Sequence, residues 1–232
     1  MLGPEFEQIA RCIPNDDARV SSAEQMLAEA ARRVDGPLRV LDLGCGDGRG
    51  LDLVTSTMPQ ADYCGVDIEG SPEVTQRSKQ DARFHSYNGT DLPFADAAFD
   101  IVYSRQVFEH VRHPDKVVAE IRRVLKPGGM FVGSMSNLEP YHSYSIFNYT
   151  PYGVFRIMED NGLDLMEMRP GMEGMALIMR RITSLRIKNF SLYYPLVEAK
   201  GRLNNWDARK RNYLKLRLSG HICFLARRPL EN

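Results

Sequence analysis

No run of apolar residues in this chain is long enough to cross a bilayer, so a membrane-spanning helix is excluded as its organising element. The start carries no secretory-signal pattern, and the opening Met1-Leu2-Gly3-Pro4-Glu5-Phe6 is given no structural weight. Charge of neither sign is in excess. The 30 Lys and Arg balance the 30 Asp and Glu, which argues against whole-molecule steering toward nucleic acid or a membrane surface. Cysteine is sparse: Cys12, Cys45, Cys64 and Cys223 are scattered, with neither metal-ligand nor disulfide-framework spacing. A reducing, cytoplasmic setting is the expectation. Internal repeats and low-complexity stretches are also missing. What remains is a single domain over residues 1–232, long enough for a sizeable core.

What is present is concentrated in Val40-Leu41-Asp42-Leu43-Gly44-Cys45-Gly46-Asp47-Gly48. An apolar run reads as a buried parallel strand, and a glycine-dense bend leaves the backbone bare for a ligand. A strand, such a bend and then a helix make a nucleotide-cofactor site at the carboxyl edge of an open α/β sheet. Two common variants fail on spacing. The third glycine of G-x-G-x-x-G would fall at Arg49 or Leu51, and no Gly-Lys-Ser/Thr follows for a phosphate loop.

Three further segments follow in order. Tyr63-Cys64-Gly65-Val66-Asp67-Ile68 is a short strand ending in an acid suited to paired ribose hydroxyls. Asn88-Gly89-Thr90-Asp91-Leu92-Pro93-Phe94 precedes a strand from Phe99-Asp100 to Ser104, and Ile121 to Leu125 leads through Lys126-Pro127-Gly128-Gly129, where a helix should stop and a strand begin. From about Leu38 to Ser136 the chain resembles the class I S-adenosylmethionine-dependent methyltransferases of the type 11 kind, whose first motif is D-x-G-x-G-x-G. The resemblance implies S-adenosyl-L-methionine as cofactor. It implies a binding set of Asp42, Gly44, Cys45, Gly46, Asp67, Ile68, Asn88, Gly89, Ser104 and Gln106. In the family an acid takes the adenine amino group; Asn88 holds that place here, and its amide oxygen can accept the same bond. Ile68 would pack on the adenine face.

The expected fold is α/β, a doubly wound, seven-stranded, mostly parallel sheet of the Rossmann-like methyltransferase kind. A capping box at Ser21-x-x-Glu24 opens a helix that Asp35-Gly36-Pro37 ends; later helices run from Pro72 to about Gln80, from Pro114, and from Pro151 to Asn161-Gly162. The family's last two strands usually form a hairpin. Here residues 171–219 lie between them as an insertion or lid, rich in Arg and Lys, including Arg180, Arg181, Arg186, Lys188, Lys200, Arg202, Arg209, Arg211, Lys215 and Arg217. It is read either as a solvated face or as a site for an anionic acceptor, with nucleic acid disfavoured. Met172, Met175, Leu177, Ile178 and Met179 read as a packing face, with an apolar pocket or homodimer contact as alternatives.

The reaction implied is in-line methyl transfer, in which the protein supplies alignment and exclusion of water. A hydroxyl acceptor also needs a base, and the catalytic candidates are His142 and His110. His142 lies in Glu139-Pro140-Tyr141-His142-Ser143-Tyr144, where Tyr141, Tyr144, Phe147, Tyr149 and Tyr152 would wall an acceptor pocket. His110 lies in Gln106-Val107-Phe108-Glu109-His110-Val111, similar to the family's E-x-x-E-H-V, with packing or orientation as its first reading. His85, His113 and His221 read as structural. Metal-dependent O-methyltransferases bind an ion through E-x-x-E-H; Gln106 replaces the first acid, so no metal is expected. The leading function is O-methylation of a small-molecule or saccharide acceptor, an anionic one included. Alternatives are an RNA or metal-dependent O-methyltransferase, aminopropyl transfer, and a cofactor-binding module without turnover.

Overall fold

The computed structural model describes residues 2–17, 20–34, 36–78, 82–183 and 191–230. One seven-stranded sheet organises them: β1 (Arg39–Leu43), β2 (Asp62–Ile68), β3 (Phe84–Tyr87), β4 (Phe99–Arg105), β5 (Leu125–Ser136), β6 (Asp164–Pro170) and β7 (His221–Arg227). Their order is β3-β2-β1-β4-β5-β7-β6. The neighbours from β3 through β5 pair in parallel, and β7 runs antiparallel to both β5 and β6. This is the doubly wound, mostly parallel sheet expected.

Alternation along the strands divides the core into two layers. Leu41 and Leu43 of β1 face one cluster; Val40 faces the other. Helices α2 (Ala23–Arg33) and α3 (Arg49–Thr57) cover the Val40 side with Met26, Leu27, Ala30, Leu51 and Val54. Helices α5 (Pro114–Val124) and α6 (Pro151–Asp160) cover the other with Val117, Val118, Ile121, Val154 and Met158. Apolar residues at helical spacing on each helix account for this three-layer arrangement.

Local readings needed correction. The capping box sits one residue later than expected: Ser22 Oγ accepts from Gln25 N, and Gln25 Oε1 accepts from Ser22 N. Ser21 is buried, and its N–H donates to Pro170 O at the end of β6. Helix α2 ends at Arg33, before the expected Asp35, which lies outside the described residues. Helix α4 covers Pro72–Gln76 and turns extended at Arg77, whose guanidinium stacks 4.2 Å over Phe84 and donates to Gly46 O; residues 79–81 of the longer expected helix lie outside the described residues. The helix before Lys126-Pro127-Gly128-Gly129 stops as expected, at Val124, but the strand already begins at Leu125. Those four residues form a bulge inside β5, between the Phe99↔Leu125 and Ile101↔Met130 pairs, with Gly128 at φ +81°. The opening residues also carry weight: α1 (Pro4–Ile9) and the turn after it bury Ile9, Cys12 and Ile13, and Glu5 accepts from Tyr213.

Between β6 and β7 the described residues form α7 (Gly174–Thr183), α8 (Tyr193–Leu203) and α9 (Ala208–Leu216). The ends of this connection are clipped together: Gly171 N donates to His221 O, Gly174 N to Leu218 O and Gly220 N to Met172 O. Several of its cations serve internal ties and do not form a free basic face. Arg209 donates to Ile13 O, Arg211 pairs with Asp17 and Glu198, and Lys215 pairs with Glu198. Arg186 and Lys188 lie outside the described residues. Among the described residues no helix is long and apolar enough to cross a membrane. The four cysteines are free and buried.

Candidate active site

The sheet order reverses between β1 and β4, and in open α/β sheets the carboxyl edge at such a reversal is where ligands bind. The bend after β1 lies at that point. Gly44, Gly46 and Gly48 take φ of +75°, +47° and +85°, a region where a side chain is strained. A Cβ at Gly44 would also collide with Val107 in the segment after β4. The bend is tied to β2: Gly44 N and Cys45 N donate to Val66 O at 2.8 and 3.2 Å. Asp67, at the end of β2, accepts from Gly46 N and Ile68 N, both at 2.7 Å. Burial raises the Asp67 carboxyl against those two donors. Ile68 stands 46% exposed beside it, and a Cβ placed on Gly89 would meet Ile68 at 3.8 Å, so the Ile68 side chain lies close to the Gly89 backbone.

Asp42 occupies a different place from an open-edge acid. It lies buried beneath the bend against Gly50, accepting from Tyr63 Oη at 2.8 Å. Burial pushes its carboxyl up to about 6, opposed by the Tyr63 hydrogen bond and the Arg105 charge. Cys45 is also buried, which drives its thiol well above the ordinary range and keeps it protonated. Asn88 is engaged locally: its Oδ1 accepts from Thr90 N, Thr90 Oγ1 and Asp91 N at 2.8–3.0 Å, and its amide donates to Asp91 at 2.6 Å. That oxygen caps its own turn, as short polar side chains do in loops, and is saturated without adenine. Ser104 Oγ is fully buried at the end of β4 with no partner among the described residues. Bare backbone, a ribose-type acid and an apolar platform lie together at the ends of β1 and β2, and this set fits S-adenosylmethionine.

The second half of the site lies at the ends of β4 and β5. Gln106 follows β4 with φ +54°, held by its N–H to Ser134 O. With its amide nitrogen toward the acids it donates to Glu139 Oε2 at 2.9 Å and Glu109 Oε1 at 3.2 Å, while its oxygen accepts from Ser134 Oγ at 3.0 Å. The opposite orientation would set amide oxygen against carboxylate. Ser136 Oγ lies 2.7 Å from Glu139 Oε2 and 3.1 Å from Glu109 Oε1. Gln106 thus belongs to this polar cluster, beyond the cofactor bend.

His142 and His110 are brought together, their rings edge to face at 5.4 Å. His142 Nδ1 lies 3.2 Å from Pro140 O and 3.7 Å from Glu139 Oε1. His221 Nε2 lies 3.0 Å from Glu139 Oε2, so one carboxylate serves two imidazoles. Burial raises the Glu139 carboxyl, but hydrogen bonds from His221 and Ser136 and the nearby imidazoles hold it down at about 2. Glu109 differs: burial pushes it up, and its Oε2 has no partner among the described residues. Ligand atoms of Glu109, His110 and His142 lie within 4.8 Å of one another, a spacing open to a metal ion despite Gln106.

Sequence reasoning did not single out Glu139 or Ser136, and it read His221 as structural without its contact to Glu139. A signal existed for His221. An antiparallel last strand puts its first residue opposite the last of β5, and the register pairs Ser136 with His221. His85 packs edge to face on Phe94. The expected aromatic wall is only partly present. Tyr149 is buried and donates to Phe108 O, and Tyr152 stacks on Phe155 and bonds Gln8, so both belong to the core side. Tyr141 and Tyr144 are about 80% exposed (79% and 80%).

Comparison with known proteins gives this geometry a context. Residues 41–133 match the family described as methyltransferase domain. The ubiquinone biosynthesis O-methyltransferase of Cereibacter sphaeroides is 35% identical over 129 residues, 50% of this chain and 51% of that one. The demethylmenaquinone methyltransferase of Renibacterium salmoninarum is 37% identical over 114 residues, 47% of this chain and 45% of that one. The chain spans about half the length of these curated relatives. Among solved structures, the [4+2]-cyclase SpnF superposes with a TM-score of 0.59 at 19% identity, covering 98% of this chain and 92% of that one. A Haemonchus contortus phosphoethanolamine N-methyltransferase gives 0.56 at 22%, covering 88% and 52%. At those identities the likeness is one of fold.

Proposed function

We propose, from the premise that this chain belongs to the class I S-adenosylmethionine-dependent methyltransferases, that it methylates the oxygen of a small-molecule or saccharide acceptor, an anionic one included. One observation carries the reading. The glycine bend follows β1, Glu139 and His142 follow β5 two places along the sheet, and His221 opens the antiparallel β7 opposite Ser136, so all of them lie on the same edge of the sheet, which supports a donor and a base facing one acceptor. The cofactor supplies a methyl group already activated on a cationic sulfur. Asp67 and the bend hold and orient it. His142 takes the acceptor hydroxyl proton as the oxygen attacks, and Glu139 fixes the imidazole and offsets the charge it gains. Gln106 and Ser136 hold Glu139 in place. The test is a screen of acceptors for S-adenosylhomocysteine release, with Asp67→Ala and His142→Ala beside it. Unchanged cofactor affinity in Asp67→Ala overturns the ribose role, and unchanged turnover in His142→Ala overturns the base.

A second reading is favoured by the unpartnered Glu109 Oε2 beside two imidazoles. One carboxylate and two nitrogens suit a borderline transition ion better than magnesium. The ion would occupy His142 and would orient the acceptor oxygen directly. Full activity in chelator removes this reading; loss in chelator with recovery on added zinc or manganese favours it over a free imidazole base.

A further inference from the structure

The three-helix connection leaves apolar side chains in water where a solvated segment would carry polar ones. From the N-cap Leu192 along α8, Leu192, Leu196, Ala199 and Leu203 recur at helical spacing on a single stripe, and all four are exposed, Leu196 by 61% and Leu203 by 84%. Lys200 and Arg202 flank that stripe on either side. On α7, Ala176 and Leu177 face the protein, while Met175, Ile178 and Ile182 form a second exposed row, bordered by Arg181. A helix that is apolar on both faces has a further partner to bury. The starts of the two helices are joined by Glu173, whose buried carboxylate accepts from Ser191 Oγ and from the N–H groups of Leu192 and Tyr193. A groove of about 360 Å³ between α8 and α9 repeats the theme, with Leu196, Trp206 and Leu214 on its walls and Lys200, Lys210 and Arg217 among its lining cations.

We propose that this face docks on an anionic lipid bilayer, with the leucines entering the headgroup–acyl boundary and the cations meeting lipid phosphates. Charge complementarity selects the occupant. The acids of this segment are already engaged inside the protein: Glu173 caps α8, Glu198 pairs with Arg211 and Lys215, and Asp207 caps α9. Arg180, Arg181, Lys200 and Arg202 pair with no acid among the described residues, so a second copy brought against this face would set cation on cation. An apolar stripe flanked by long cationic side chains is the pattern of a helix lying in a membrane interface. The connection also abuts the acceptor end: Asn137 donates to Leu216 O and Ser219 O, and its exit runs into His221. The inference is independent of which group is methylated.

The experiment is cosedimentation of the full chain with phosphatidylcholine vesicles, with and without phosphatidylglycerol, at low and raised salt. The expected result is partitioning roughly tenfold or more stronger on the anionic vesicles, weakened by salt. Lys200→Glu with Arg202→Glu should remove that preference, and Leu196→Asp with Leu203→Asp should lower binding on the order of tenfold at unchanged melting temperature. All four side chains are solvent-facing, and circular dichroism confirms that each variant is folded. Equal partitioning on both vesicles, or no binding at low salt, overturns the proposal. So does a dimer by sedimentation velocity that Leu203→Asp dissolves, since that outcome assigns the face to a second copy.

Discussion

The proposed cofactor side and the proposed acceptor side of this sheet edge are built by different means. In residues 38–105 the ligand surface is mostly backbone: glycines at positive φ, N–H groups tied to Val66 and Asp67, and one exposed isoleucine. Around residues 106–149 and 221 it is side chains, with Gln106, Glu109, Ser136, Glu139, His142 and His221 meeting from separate segments. Backbone geometry is fixed by local residue type; a side-chain cluster exists only once distant segments are folded together. The two halves also carry buried charge with opposite consequences. Ionised Asp42 is a burden on the fold, whereas ionised Glu139 supports it.

The largest effect expected is at Gly44. Gly44→Ala combines a strained φ with a collision against Val107, and should cost about 3 kcal/mol or more while lowering cofactor affinity at least about a hundredfold. Calorimetry with S-adenosylmethionine and a thermal melt read both; an unaltered affinity would erase the distinction between a backbone half and a side-chain half. Next comes Glu139→Gln, which should reduce kcat by about 10- to 100-fold with cofactor affinity unchanged. It should also alter acid stability. Glu139 is depressed from 4.5 to about 2 in the folded state, so it contributes stability that is present above pH 4.5 and lost as pH falls through 2. Up to about 2–3 kcal/mol should disappear at neutral pH in the variant, read by urea unfolding across pH.

Asp42→Asn should act in the other direction. Its folded pKa, about 6, lies above the ordinary 3.8, so the folded chain keeps a proton that the unfolded chain has released. Stability should therefore fall as pH rises from about 4 to 6 and stay level above that window. The variant should lack this fall and gain about 2–3 kcal/mol at pH 7 while binding cofactor less well. A variant less stable than the parent at pH 7 would count against the buried-charge account. The smallest effect is expected at the exposed Arg49–Asp47 pair at the mouth of the bend, where Arg49→Ala should change stability by less than about 0.5 kcal/mol.

Legibility in the sequence follows the same division. The sheet, its parallel strands and the positions of Gly44, Gly46, Asp67 and Ile68 could be read because strand periodicity and glycine spacing are written over a few consecutive residues. The capping box slipped by one because Ser21 and Ser22 are both competent caps, and only the contact with Pro170 decides between them. The turn bonds of Asn88 were not legible, because its turn offers three nearby donors that a linear motif does not display. Glu139 and His221 are 82 residues apart, and nothing in either neighbourhood announces the other. The cations of residues 171–219 looked uniform in sequence, yet Arg209 and Arg211 tie helices to the amino-terminal segment while Lys200 and Arg202 flank an apolar stripe.

The clip that joins Gly171, Met172 and Gly174 to Leu218, Gly220 and His221 has a consequence for how this architecture can diversify. Both stems of the three-helix connection are zipped at one rim, and because α9 is anchored to the amino-terminal segment by Arg209, Arg211 and Tyr213, the α7–α8 part is the cassette whose length is free to vary. It can lengthen, shrink or be exchanged between relatives without shifting a strand register, and the donor bend on the far side of the sheet order is insulated from the change. A chimaera carrying a foreign cassette at these stems should retain its grip on the methyl donor and inherit a new clientele.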